Sequence, residues 1–214
     1  MIKKILFDID QTIIDHELAI NIAIKAIFCK AKNKQNYEDF ILKYNNYNKL
    51  LWNKYENGEL KIDSLLNHRD KFFIEELNLS KRDIKEFYDI YISECKIYPV
   101  WKYIFNKIKD MNISMYIFSN GFSEIQRKKL TANHINHYFD DMFFGEKYPY
   151  NKPNKEFLDQ IYTNILPCEK HEVLVIGDSI KNDIIPSKNY GFQTYIFSKK
   201  DHYFFENLLR IISK

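Results

Sequence analysis

At 214 residues the chain has room for one sizeable domain, or for a core domain carrying an insertion. Its 45% hydrophobic and 29% charged residues fit a soluble globular chain and exclude wholesale disorder, and a net charge of +3 is too small for a nucleic-acid-binding footprint while leaving room for a small anionic substrate. Cys29, Cys95 and Cys168 are odd in number and far apart, which excludes a disulfide framework and a zinc-ligand pair.

The first expected element is a strand from Ile2 to Phe7, a short apolar run stopped by Asp8. With its early charge, this start is neither a signal peptide nor a membrane span, so a cytoplasmic location with no membrane partner is expected. From about 15 to 96 the pattern turns helical. It has no convincing strand and a single glycine, Gly58, with Leu18, Ile22 and Lys25-Ala26 at helical spacing, then Leu65, Phe72, Phe73 and Leu77. An all-helical insertion follows the first strand in this scheme, leaving residues 1–14 and 97–214 as the core.

Beyond the insertion, strands are expected at Ile113 to Phe118, Val173 to Ile176 and Gln193 to Phe197, with a weaker one at Met142 to Phe144. Helical stripes lie between them at Trp101 to Lys109, Phe122 to Thr131 and Lys155 to Ile165, and an amphipathic helix closes the chain at Phe204 to Ile212. Alternation of this kind predicts an α/β fold, a parallel sheet covered on both faces, whose ligands bind beyond the carboxyl ends of the strands.

Polar clusters stand at those ends. Asp8-Ile9-Asp10-Gln11-Thr12 offers two carboxylates one residue apart, suited to one group attacking or binding metal and one moving protons, although a lone Asp-x-Asp serves equally as a polar strand end or helix cap. Ser119-Asn120-Gly121 can present a hydroxyl, an amide and a free backbone to phosphoryl oxygens, or can be an ordinary turn. Lys152, before Pro153, can supply counter-charge, or be one surface lysine among many. In Gly177-Asp178-Ser179-Ile180-Lys181-Asn182-Asp183, hard carboxylate oxygens suit Mg²⁺, with Asp178 as direct ligand and Asp183 behind it.

Taken in order, these four clusters resemble the four motifs of the haloacid dehalogenase superfamily, and the helical insertion resembles its type-one cap. The resemblance implies a Rossmann-like doubly wound core and an aspartyl-phosphate on Asp8, with Asp10 as acid and base. It implies Mg²⁺ held by Asp8, the main-chain carbonyl of Asp10 and Asp178, with Ser119, Asn120 and Lys152 at the phosphate and Thr12 supporting the ligands. The superfamily's dehalogenases generally lack the second carboxylate, so Asp10 favours a phosphatase. A dehalogenase and a non-catalytic binding protein are the readings from other classes.

Two stretches look closer to one branch. Tyr44 to Trp52 with Tyr55 to Leu60 and Leu65 to Arg69, and Ser119 to Gln126 with Lys129-Leu130, resemble the bacterial house-cleaning pyrimidine 5′-nucleotidases. That implies a nucleoside monophosphate as substrate, in a monomer or homodimer, with sugar-phosphate or phosphoglycolate hydrolysis as the alternative. His16, Trp52, Tyr55 and Phe72 are candidates to touch it, although aromatics in a helical insertion ordinarily pack. Gln11, Pro149 and Pro186-Ser187 depart from the pattern without removing a catalytic group. His134 and His137 have no partner at metal-ligand spacing.

Overall fold

The computed structural model describes residues 1–32, 35–201 and 203–213. The chain forms two compact units, one from residues 1–15 and 96 onward, the other from His16–Cys95.

The first unit is an α/β layer structure. Five strands, β1 (Lys4–Phe7), β2 (Ser114–Ser119), β3 (Asp141–Phe144), β4 (Val173–Gly177) and β5 (Gln193–Ile196), form one parallel sheet in the order β3-β2-β1-β4-β5. β1 is central because its KILF sequence is apolar on both faces, as a strand covered on both sides requires. Side chains alternate across it. Phe7 meets Trp101 and Phe105 edge-on, each at 5.5 Å, from helix α5 (Val100–Asp110). Leu6 points the other way, into a cluster with Phe118, Phe143, Phe157, Ile161 and Val175.

The pairing register places Phe7 beside both Ile117 and Ile176, so β1, β2 and β4 end together at one edge. The chain runs outward through β2 and β3 on one side of β1 and through β4 and β5 on the other. The crevice at this reversal is where such sheets hold ligands. Helices α6 (Ser123–Ala132), α7 (Lys155–Ile165), α8 (Ile185–Tyr190) and α9 (Phe204–Ile212) complete the layers. Pro186 falls in the first turn of α8, where a missing N–H costs nothing. Gln11 has φ 62, the left-handed conformation that glycine adopts most readily.

The chain leaves the core and returns to it at one place. Tyr98 N–H donates to Ile13 O and Asp15 N–H to Lys96 O, each at 3.0 Å, around an antiparallel bridge between Ile14 and Ile97.

Among the described residues the second unit is four helices, α1 (His16–Phe28), α2 (Tyr37–Glu56), α3 (Ile62–Leu77) and α4 (Lys81–Glu94). Asn36 caps α2 by accepting from the Glu38 and Asp39 N–H groups, and Ser80 forms a reciprocal capping box with Asp83 at α4. The core is aromatic, with Tyr44 stacked on Phe73 at 5.0 Å and Phe73 tilted against Phe87. The α1 stripe differs from expectation. Leu18 and Ile22 are exposed, and the helix buries Ala19, Ala23, Ile24 and Ile27 instead. Small residues on that face let the helices approach closely. The stripe Leu65, Phe72, Phe73 and Leu77 is buried as its spacing predicts.

Candidate active site

Asp8 is the first residue past β1, its N–H held by Ile176 O at 2.9 Å. Lys152 lies buried across from it, with its ammonium 2.7 Å from Asp8 Oδ1 and 2.7 Å from Asp183 Oδ1, and 4.2 Å from the centre of the Phe118 ring. Asp183 closes this bridge by accepting the Ser179 N–H on its other oxygen at 3.0 Å. It reaches back because the chain takes a wide π-type turn over Ile180–Ile184, and because residue 177 is glycine, where a Cβ would stand 2.3 Å from Asp183 Oδ2. Asp178 receives the Thr12 hydroxyl at 3.3 Å, while Thr12 O accepts from Trp101 Nε1 at 2.7 Å.

Carboxylate oxygens of Asp8, Asp178 and Asp183 all lie within 4.8 Å of one another. Three carboxylates facing one ammonium leave two negative charges uncompensated, and the donors are hard oxygens, so these residues fit a hard divalent cation. Two of these carboxyls, Asp8 and Asp178, are shifted by burial first and by the crowding of charge second. Burial, followed by repulsion from Asp183, Asp178 and Asp10, pushes Asp8 up to about 8 against the opposing pull of Lys152. Burial and Asp183 push Asp178 up to about 6, opposed by Lys152 and the Thr12 hydrogen bond. Burial works against the Lys152 charge, but Asp183 and Asp8 outweigh it and raise its pKa above the ordinary lysine value.

Ser119 ends β2 in a defined state. Its Oγ accepts from Gly121 N–H at 3.1 Å and from Gln126 Nε2 at 3.0 Å, which leaves its own O–H as the group it can donate. Asn120 turns toward Lys152. Its Oδ1 accepts the Lys152 N–H at 2.9 Å and its Nδ2 donates to Lys152 O at 2.8 Å, so the amide grips the backbone of the lysine.

The carboxylate of Asp10 meets two partners that strand-end motifs do not reveal. Lys129 Nζ lies 2.7 Å from Oδ1 and Gln126 Nε2 lies 2.8 Å from Oδ2. Both belong to α6, and their three-residue spacing on one helical face is the trace they leave in the sequence.

In the helical unit, His16 opens α1, and its Nδ1 shares a hydrogen bond with the Tyr91 hydroxyl. Tyr55 is buried with Trp52 edge-on at 5.8 Å, and Phe72 sits among Phe40, Tyr44, Tyr47 and Phe73. Tyr55 and Phe72 are therefore packing residues in this structure; Trp52 is half-buried.

The family model of the haloacid dehalogenase-like hydrolases matches residues 5–197. The chain belongs to this family. Among haloacid dehalogenase-like relatives, the HAD-hydrolase YfnB of Bacillus subtilis is 26% identical, over 90% of this chain and 82% of its own length. The pyrimidine 5′-nucleotidase YjjG of Escherichia coli is 28% identical, over 89% and 83%. A phosphoglycolate phosphatase of Vibrio parahaemolyticus is 27% identical, over 91% and 82%. The crystal structure of YfnB bound to magnesium shares the fold with a TM-score of 0.83 at 23% identity, covering 100% of this chain and 99% of that one. Among the described residues, no helix is long and apolar enough to cross a membrane.

Proposed function

We propose that this haloacid dehalogenase-like protein is a Mg²⁺-dependent phosphomonoesterase acting through Asp8, with pyrimidine-type nucleoside 5′-monophosphates as its substrates. The observation that carries the reaction is Lys152 spanning Asp8 and Asp183 beside Asp178, with a second carboxylate, Asp10, on the Asp8 loop.

Asp8 attacks phosphorus through a carboxylate oxygen as the bond to the ester oxygen breaks, and Asp10 donates a proton to the departing alcohol. Asp10 then takes a proton from water. The water oxygen bonds to phosphorus, and the electron pair of the broken Asp8–phosphorus linkage returns to the Asp8 carboxylate. The Ser119 O–H and the Lys152 ammonium stabilise charge on the phosphoryl oxygens, and Asn120 fixes the lysine backbone. Mg²⁺, held by Asp8, the main-chain carbonyl of Asp10 and Asp178, supplies charge neutralisation when bound. Thr12 and Asp183 support that set from behind. The substrate class rests on the cap and second-motif resemblance together with the YjjG match, which extends through the helical unit. A small phosphorylated acid is the second reading, favoured by the match to a phosphoglycolate phosphatase.

Asp8→Asn is expected to abolish p-nitrophenyl phosphate hydrolysis, and turnover at the wild-type rate would overturn the assignment. A panel with Mg²⁺ separates the substrates. Preference for UMP, dUMP and dTMP supports the nucleotidase, and preference for phosphoglycolate or sugar phosphates rejects it.

A further inference from the structure

We infer that Lys129 and Gln126 are positioning residues for Asp10, and that Gln126 ties the orientation of that carboxylate to the phosphate-binding hydroxyl of Ser119. The inference rests on the acid–base role proposed for Asp10 and adds two side chains that none of the strand-end motifs contains.

Four observations carry it. Lys129 and Gln126 are each 1% exposed, a rare state for such residues unless something specific holds them there. They take one Asp10 oxygen each, at 2.7 and 2.8 Å, so rotation of the carboxylate about its Cβ–Cγ bond is blocked. The second hydrogen of Gln126 Nε2 goes to Ser119 Oγ at 3.0 Å, while Gln126 Oε1 is buried with no hydrogen-bond partner. Turning the amide over would set that oxygen against the Asp10 carboxylate, so Asp10 dictates the orientation at the cost of a buried acceptor. Finally, a Cβ on residue 121 would stand 2.2 Å from Gln126 Nε2, so Gly121 keeps the path to Asp10 open. Apolar side chains at 126 and 129 would pack beneath the sheet edge without these costs. The arrangement makes sense as support for a group that must point one way.

The test is a double-mutant cycle read in steady-state hydrolysis of p-nitrophenyl phosphate with Mg²⁺, at enzyme concentrations that resolve the residual turnover of Asp10→Asn. Lys129→Met and Gln126→Met are each expected to lower kcat about tenfold or more with KM changed less than about threefold, and Lys129→Arg to recover most of the loss. In the Asp10→Asn background the same substitutions are expected to have no further effect. Wild-type kcat in folded Lys129→Met and Gln126→Met overturns the inference, and so does an undiminished loss in the Asp10→Asn background, which marks a general structural role. Should Lys129→Met fail to fold, Gln126→Met alone is judged on the same criteria. A fully active Asp10→Asn enzyme removes the proposed function itself. An inactive Asp10→Asn beside a normal Lys129→Met removes only the present inference.

Discussion

Gly177 occupies a point where no side chain fits. Asp183 fills the space a Cβ would need, and it cannot yield without releasing both the Ser179 N–H and the Lys152 ammonium. Gly177→Ala is therefore expected to destabilise the protein by about 1–3 kcal/mol, as overpacking does, and to lower hydrolysis sharply. A thermal melt and a p-nitrophenyl phosphate assay check both, and an alanine enzyme with normal turnover would show that Asp183 is not needed where it stands. Gln11 presents a different constraint at φ 62. A β-branched side chain tolerates this region poorly, so Gln11→Val should cost about 1–2 kcal/mol more than Gln11→Asn in denaturant unfolding. At this scale the sequence showed which chemical groups are present and hid what they grip. Asp8 and Asp178 were legible because the ends of β1 and β4 deliver them to one edge, whereas Lys152 lies in the loop between β3 and α7 and showed only as a lysine before a proline. The amide of Asn120 turning to Lys152, and α6 reaching Asp10, join residues 32 and more than 100 positions apart. No local pattern encodes such pairs.

Strands were the most legible elements. Apolar runs of four to six residues between polar clusters correspond to β1, β2, β4 and β5, and the weak run near Met142 corresponds to β3. The helical segment was less so. Composition and spacing marked it as helical without dividing it into α1 to α4, because the breaks are made by single capping residues, Asn36 and Ser80, and by Asn78 in the left-handed region. The exposed leucine and isoleucine of α1 also misled, since periodicity identifies an apolar stripe but not whether a stripe of alanines packs more closely. Capping gives a direct measurement. Ser80→Ala removes the acceptor for Asp83 N–H and should cost about 1 kcal/mol. An unchanged melting temperature would mean that packing alone starts α4.

For the whole molecule, the acidic cluster sets how stability responds to pH. Burial above all pushes Asp8 up to about 8 and Asp178 up to about 6, against 3.8 for an ordinary aspartate. In the unfolded chain both are ionised above about pH 4, so from about 4 to 8 the folded state binds more protons than the unfolded one, and stability falls as pH rises. In chelator, the melting temperature is expected to drop across that window, and Asp8→Asn, which removes the larger of the two contributions, should flatten the slope and melt higher at the alkaline end. Mg²⁺ should reverse the loss, by about 2.7 kcal/mol at a hundredfold excess over its Kd. A melting temperature indifferent to both pH and Mg²⁺ would contradict this account of the cluster.

The junction where Ile14 faces Ile97 has a consequence for how the chain can vary. Because the excursion His16–Cys95 starts and finishes on neighbouring backbone, the sheet is indifferent to what lies between, and doubling the excursion would add only about 0.6 kcal/mol of closure entropy. Length and sequence in that stretch are thus free to drift or be exchanged while β1 keeps its partners.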